Sequence, residues 1–254
     1  MITDCARVQA PKSSLPGHLS EDAAHTALPA RGRAGETRLV VADGGSGSAD
    51  SGWWARQLTR DLCAAPGRAF ADSRAFHDVV ALAALRWPSR RRVVLGQGGQ
   101  SAFQQWLTAR RTEDGPSTAL LGVRLLPPPG PAGGMWQLVS VGDSCLFQVR
   151  ADRPVESVAR LPRVPHLVRV RGVVPAPGLV LREGSWERGD VFYLMTDALA
   201  RWWVRRIEDG GRPWATADEL CAAPDRFADW VRDQRDRRAL QDDDVTLLRA
   251  ECRP

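Results

Sequence analysis

Thr37–Gly45 reads TRLVVADGG, and the fold turns on how that stretch is understood. Leu39–Val40–Val41–Ala42 is short, apolar and β-branched, with no helical spacing, which predicts a buried strand. Asp43 stands where the strand ends. Gly44 and Gly45 carry no Cβ, so the backbone there can turn sharply and approach a ligand closely. An acid at a strand end beside glycines suits a bound cation. Asp-Gly is also a common turn pair, and the stretch taken alone favours the turn.

Two later strands shift that balance. Asp197 follows the apolar run VFYLMT, and Asp243 stands just ahead of VTLL. A fourth acid, Asp143, falls between the runs MWQLVSV and SCLFQVR, where Gly142–Asp143 predicts a tight hairpin turn. Carboxylates at strand ends converge if those ends lie together in a sheet, and such a cluster repels itself unless a cation is bound. Hard oxygen ligands select Mg²⁺ or Mn²⁺ over zinc, and no histidine–cysteine set argues otherwise. Two such ions would lower the pKa of a water and make a nucleophile at neutral pH.

Composition excludes several other classes. The 254 residues suffice for one large domain or two small ones, with 43% hydrophobic residues to build a core. The net charge of +5 rests on arginine, since Lys12 is the only lysine. The arginines are scattered, with no block beyond Arg90–Arg92, so no nucleic-acid arm is expected. Five cysteines, odd in number and without a Cys-x-x-Cys pair, argue against a disulfide framework and a cysteine zinc site. Reduced thiols, no signal peptide and no membrane-length apolar run point to a cytoplasmic protein.

Periodicity gives a coarse map. Met1–Ser20 reads as a loose polar arm, and Ala23–Leu28 as a short strand. Helices are expected over Trp53–Ala64, over Ser73–Trp87 with Pro88 closing it, and over Ser101–Arg111, after a flexible break at Gly96–Gly99. STALLGVRLL, MWQLVSV and SCLFQVR predict three strands, the first two linked by a loop at Pro127–Gly134. Ala151–Glu187 is rich in proline and shows no clear pattern. Gly189–Thr196 predicts a strand, Ala198–Ile207 and Phe227–Arg237 helices, and Val245–Arg249 a last strand. Helices cluster between groups of strands, which suggests α+β layers rather than a βαβ sheet.

The motifs, in order, are SEDAAHTA (Ser20–Ala27), ADGG (Ala42–Gly45), PSTALLGVRL (Pro116–Leu125), VSVGDSCLF (Val139–Phe147), GDVFYLMTDALA (Gly189–Ala200) and DDDVTLL (Asp242–Leu248). Together they resemble the metal-dependent protein phosphatases of the protein phosphatase 2C family, in a bacterial form. The resemblance covers residues 20–254 and leaves 1–19 as a flexible arm. It implies a four-layer α-β-β-α sandwich of two mostly antiparallel sheets flanked by helices, with the metals at one end. It implies hydrolysis of phosphoserine or phosphothreonine on proteins by a metal-activated water, using two Mn²⁺ or Mg²⁺ ions and, in some members, a third. Asp43 resembles the acid that bridges both metals, with the Gly44 carbonyl on one of them. Asp197 and Asp243 resemble the other direct ligands. Asp22 resembles the acid that holds metal-bound water, with Glu21 its neighbour, and Asp143 a residue of the third site. The partners so implied are a phosphorylated protein substrate and a cognate Ser/Thr kinase, for a monomeric signalling protein bound to neither nucleic acid nor membrane.

Two departures support an alternative, a pseudophosphatase that binds partners without chemistry. Thr-Asp-Gly has become Thr-Asp-Ala at Ala198, and Pro16–Gly17–His18 holds no phosphate-binding arginine ahead of Glu21–Asp22. Simpler readings stand beside several assignments. Glu21 and Asp22 also read as a solvated strand start, and Asp143 as the residue its turn needs. None of His18, His25, His77 and His166 reads as a ligand, though His18 lies near Glu21–Asp22 as a general-acid candidate. Trp53, Trp54, Trp202 and Trp203 read as helix–sheet packing, and Cys145 as a small apolar group.

Overall fold

The computed structural model describes residues 2–12, 19–30, 35–45, 50–95, 101, 113, 115–127, 133–172 and 178–253. Strand β3 (Thr37–Gly44) explains the continuous apolar run. Leu39 and Val41 point into the space between two sheets, while Val40 and Ala42 point outward under helices. A strand covered on both faces needs no polar alternation.

The first sheet has the order β2-β3-β4-β5-β9, formed by β2 (Ala23–Ala27), β3, β4 (Ser117–Leu125), β5 (Gly133–Val141) and β9 (Leu179–Glu187). The two-residue β8 (Val168–Arg169) pairs with the start of β4. The second sheet has the order β1-β11-β10-β6-β7, formed by β1 (Ile2–Ala10), β11 (Val245–Cys252), β10 (Val191–Met195), β6 (Cys145–Arg150) and β7 (Arg153–Val158). Every strand pair is antiparallel. Leu39, Val41, Leu121, Val123 and Leu138 of one sheet meet Leu146, Phe192, Leu194 and Leu248 of the other. Each such side chain contributes about 1.5–3 kcal/mol on burial.

Helices cover both outer faces. Helix α1 (Ser51–Ala64) turns Trp54, Leu58 and Leu62, at helical spacing, onto Val40, Leu120 and Val139. Helix α2 (Ser73–Ala84) adds Phe76, Val79, Val80 and Ala83 to that layer, and the Asp72 side chain caps it by accepting from Ala75 N at 2.7 Å. On the other face, α4 (Asp197–Glu208), α5 (Pro213–Ala222) and α6 (Phe227–Asp236) close over β6, β10 and β11. Trp203 of α4 lies against the rings of Phe147 and Tyr193, with centroids 5.2 and 4.9 Å away. The result is the α-β-β-α sandwich.

Four expectations are corrected. Ile2–Ala10, expected within a loose arm, is β1, and it pairs with β11 along nearly its whole length. Gly142–Asp143 is not a hairpin turn: β5 pairs with β4 and β9, β6 with β10 and β7, so the link crosses from one sheet to the other. Gly142 makes that crossing at φ 105°, and a Cβ there would lie 2.5 Å from the Ala119 Cβ. Ala151–Glu187 contains three strands. Of these β7 and β9 are edge strands with exposed polar faces, which leaves little apolar pattern to read. Pro88 ends no long helix but sits in the first turn of α3 (Trp87–Leu95), where a missing N–H costs nothing. The break at 96–99, His18 and the expected helix beyond Ser101 lie outside the described residues.

Candidate metal centre

The register of β2, β3 and β4 sets the first two acids. Ala23 pairs with Ala42, so Asp22 lies one step beyond that pair, beside Asp43. Asp43 pairs with Ala119 of β4, and its carbonyl accepts from Thr118 Oγ1 at 2.6 Å. Gly44 permits the close approach of the two strands: a Cβ there would lie 2.7 Å from the Glu21 carbonyl oxygen. The glycine thus serves backbone packing, at a position where no left-handed angle is required.

The second sheet supplies the rest. Thr196 follows β10 and stands at the N-cap of α4, whose first residue is Asp197. The Thr246 N–H donates to Thr196 Oγ1 at 3.0 Å, and Thr196 Oγ1 donates to Asp22 Oδ2 at 3.0 Å. This short relay ties β11 and β10 to the start of β2 across the sandwich. Asp22 Oδ1 is buried without a well-formed hydrogen bond. Asp244 is buried and accepts from the Lys12 N–H at 2.8 Å and the Glu21 N–H at 2.6 Å, which fixes the approach to Asp22. Asp243 Oδ1 accepts from the Asp244 N–H at 2.9 Å.

The electrostatics show that these acids share one neighbourhood. Burial raises the Asp43 pKa well above the carboxylate range, and the charges of Asp22, Asp197, Asp143 and Asp243 raise it further. Asp22 is raised well above its ordinary value, first by burial, then by Asp244 and Asp243, against the steadying hydroxyls of Thr246 and Thr196. Asp143 is pushed up to about 6 by burial and by Asp197, with its own backbone N–H and Arg201 pulling the other way. Asp243 is raised by burial and Asp197, although the Asp244 N–H and Lys12 favour its charge. Three cations touch the cluster's margin, among them Arg235, whose Nη2 donates to the Asp243 carbonyl. Arg201 Nε lies 3.3 Å from Asp197 Oδ2, one helical turn on, and Lys12 Nζ lies 3.3 Å from Glu21 Oε2. Burial opposes the charge on Lys12, but Glu21, Asp244 and Asp243 outweigh it and raise its pKa.

The donors are hard oxygens crowded against their own repulsion, a chemistry that fits Mg²⁺ or Mn²⁺. Among the described residues no three His, Cys, Asp or Glu side chains are drawn around a single point as a finished ligand set. Sequence reasoning gave no role to Thr196, Asp244, Lys12 or Arg201. Thr196 and Asp244 adjoin predicted ligands within quoted motifs. The contacts of Lys12 and Arg201 depend on chain positions far apart or on one turn of α4, and no motif marks them.

Several solved structures share this architecture. One is a bacterial serine phosphatase bearing a point mutation, 12% identical, with 98% of each chain covered and a TM-score of 0.60. The catalytic domain of the serine/threonine phosphatase PstP, in complex with two manganese ions, is 15% identical over 100% of this chain and 99% of that one, with a TM-score of 0.57. The PP2C phosphatase domain, with a regulatory fragment, of SpoIIE from Bacillus subtilis is 14% identical over 99% of this chain and 63% of that one, with a TM-score of 0.55. The chain has the protein phosphatase 2C fold. No protein-family model and no curated protein matches the sequence. Within the protein phosphatase 2C fold, Asp22, Asp43, Asp143, Asp197 and Asp243 gather where the two sheets meet α4. No helix among the described residues is long and apolar enough to cross a membrane.

Proposed function

We propose that the chain is a metal-dependent serine/threonine protein phosphatase. The observation that carries this reading is the crowding of Asp22, Asp143, Asp197 and Asp243 on Asp43, with Arg201, Lys12 and Arg235 at the margin. Acids held in this way without a cation are costly, and a site of this charge is built for divalent ions.

Asp43, the Gly44 carbonyl, Asp197 and Asp243 would hold two Mn²⁺ or Mg²⁺ ions, with Asp22 acting through water and Asp143 on a weaker third site. Bound there, the ions would activate a water and neutralise the phosphate oxygens for in-line attack on phosphorus. The chain's own contribution is placement. Thr118 and Gly44 fix the end of β3, Thr196 orients Asp22, and Asp244 holds the backbone of Glu21 and Lys12. The helix start at Asp197 favours a negative charge at that position. PstP, a phosphatase of this fold solved with two manganese ions, supports the choice of cation. The substrate is a phosphoprotein made by a Ser/Thr kinase, met by a monomeric enzyme in the cytoplasm.

The test is hydrolysis of an aryl phosphate and a phosphothreonine peptide with Mn²⁺ or Mg²⁺, and again in EDTA. Turnover that vanishes with the chelator is expected. Rates equal with and without chelator would refute the reading.

A further inference from the structure

The free edge of β2 borders a groove of about 410 Å³ that has Asp22 in its wall and three arginines around it. Arg56 and Arg60 stand four residues apart on α1, so they share one face of the helix and run alongside β2. Arg7 reaches in from β1, and its Nη1 donates to the Ala24 carbonyl at 3.1 Å. Gln9 Nε2 donates in the same way to the Asp22 carbonyl at 3.0 Å. Side chains of β1 thus already occupy those two carbonyls of β2, and recognition there falls to the guanidinium groups. Arg56 makes one long contact, 3.4 Å to the Ser20 carbonyl, and its head is exposed. Among the described residues no acid forms an ion pair with Arg7, Arg56 or Arg60. His25, exposed on β2, records the local field: its pKa is lowered by burial and then by Arg60 and Arg7. Leu19 adds an exposed apolar side chain at the rim.

We infer that this groove is a substrate-docking surface for a phosphoprotein segment carrying acidic residues beside its phosphorylated residue. The inference rests on the phosphatase reading and names the substrate class that site would favour. Charge complementarity carries it: a cationic channel opens directly beside an anionic centre, so the two can engage one extended chain at different points. Acidic side chains would lie along Arg7, Arg56 and Arg60 while the phosphate lies over the metals. Such rim charges act mainly on encounter and choice of partner. Among the described residues that line it, His25 is the one aromatic ring, which separates the groove from a single-strand nucleic-acid channel.

The test uses the full chain with Mn²⁺ and three substrates: an aryl phosphate, a phosphothreonine peptide flanked by Asp and Glu, and the same peptide flanked by Gln. The acidic peptide is expected to have on the order of tenfold higher kcat/KM, a preference that fades with added salt. Arg56→Glu with Arg60→Glu should abolish or reverse that preference and leave aryl phosphate hydrolysis unchanged, since neither residue belongs to the metal centre. Fluorescence anisotropy of both labelled peptides on the same proteins reads the preference without catalysis. Loss of aryl phosphate turnover with the binding preference intact would therefore count against the phosphatase reading alone. Equal kcat/KM and equal binding for the two peptides would overturn the docking surface. So would a preference that survives the double charge reversal, or a single-stranded oligonucleotide that displaces the acidic peptide at matched charge.

Discussion

Asp143→Asn should stabilise the metal-free protein at neutral pH. The Asp143 carboxyl is pushed up to about 6 from an ordinary value of 3.8, first by burial and then by Asp197. The folded protein therefore binds this proton more tightly than the unfolded chain between those two values. Stability is lost as pH rises through that window, and it stays lost at pH 7.5. A gap of about two pKa units corresponds to roughly 3 kcal/mol. Counter-ions and relaxation of the cluster reduce the sum, so we expect about 1–2 kcal/mol. For a chain of this size that is roughly 2–8 °C in Tm. Thermal unfolding in EDTA at pH 7.5 should show the variant melting higher by that amount, and the difference should shrink as pH falls through about 6 and vanish only below the ordinary value of 3.8, where the acid carries its proton in the folded and the unfolded chain alike. Saturating Mn²⁺ should narrow the gap at pH 7.5, because a cation removes the repulsion that the substitution relieves. A variant that melts lower than wild type in EDTA at pH 7.5, or a gain that persists unchanged at pH 4.5, would refute the reasoning.

The other predictions concern ligands and supports. Asp43→Asn, Asp197→Asn and Asp243→Asn should each lower Mn²⁺-dependent turnover by about a hundredfold or more with circular dichroism unchanged. Asp143→Asn should cost clearly less, and an equal loss would invert the proposed ranking. Asp244→Ala removes the acceptor of two backbone N–H groups, so the urea midpoint should fall by an amount worth about 2 kcal/mol and Mn²⁺ should bind more weakly. Ala198→Gly should lower stability by about 1 kcal/mol and leave calorimetric Mn²⁺ affinity unchanged, because the residue lies inside α4.

The sandwich was legible where strands are covered on both faces. Val40 and Leu121 belong to different cores, yet both belong to uninterrupted apolar runs, and such runs read as buried strands. Of the four edge strands only β2 was legible, as the short strand expected over Ala23–Leu28. β1, β7 and β9 each lie at the margin of a sheet and keep polar residues on an open face, so their sequences look like loops. The crossing at Gly142–Asp143 failed for another reason. A glycine–acid pair between two apolar runs has the same composition whether the chain folds back on its own sheet or passes to the facing one. Only the partners of β5 and β6, far along the chain, decide it. The acids were legible as strand-end carboxylates, but their supports were not. Thr196 acts through Asp22, 174 residues away in sequence, and Asp244 acts through the backbone of Lys12 and Glu21.

Ala198 bears on whether the centre is built to work or has decayed into a binding module. An alanine where the resembling family has glycine would signal decay if the position demanded a left-handed backbone. It does not: Ala198 is the second residue of α4, it is buried, and it is absent from the residues with positive φ. Its methyl group packs into the layer that holds Leu199 and Trp203, so the substitution serves the helix that carries Asp197. The acids themselves argue in the same direction. A chain freed from metal binding gains stability from a neutral residue of the same shape in place of Asp43 or Asp143, since burial and the neighbouring acids raise both pKa values. Exchanging one carboxylate for an amide of the same shape would relieve that repulsion at once. That five aspartates stand together under mutual repulsion, with Asp22, Asp143 and Asp243 braced by hydroxyl or backbone donors and Asp197 set at a helix start, is the pattern expected of a site whose cost is offset by bound cations.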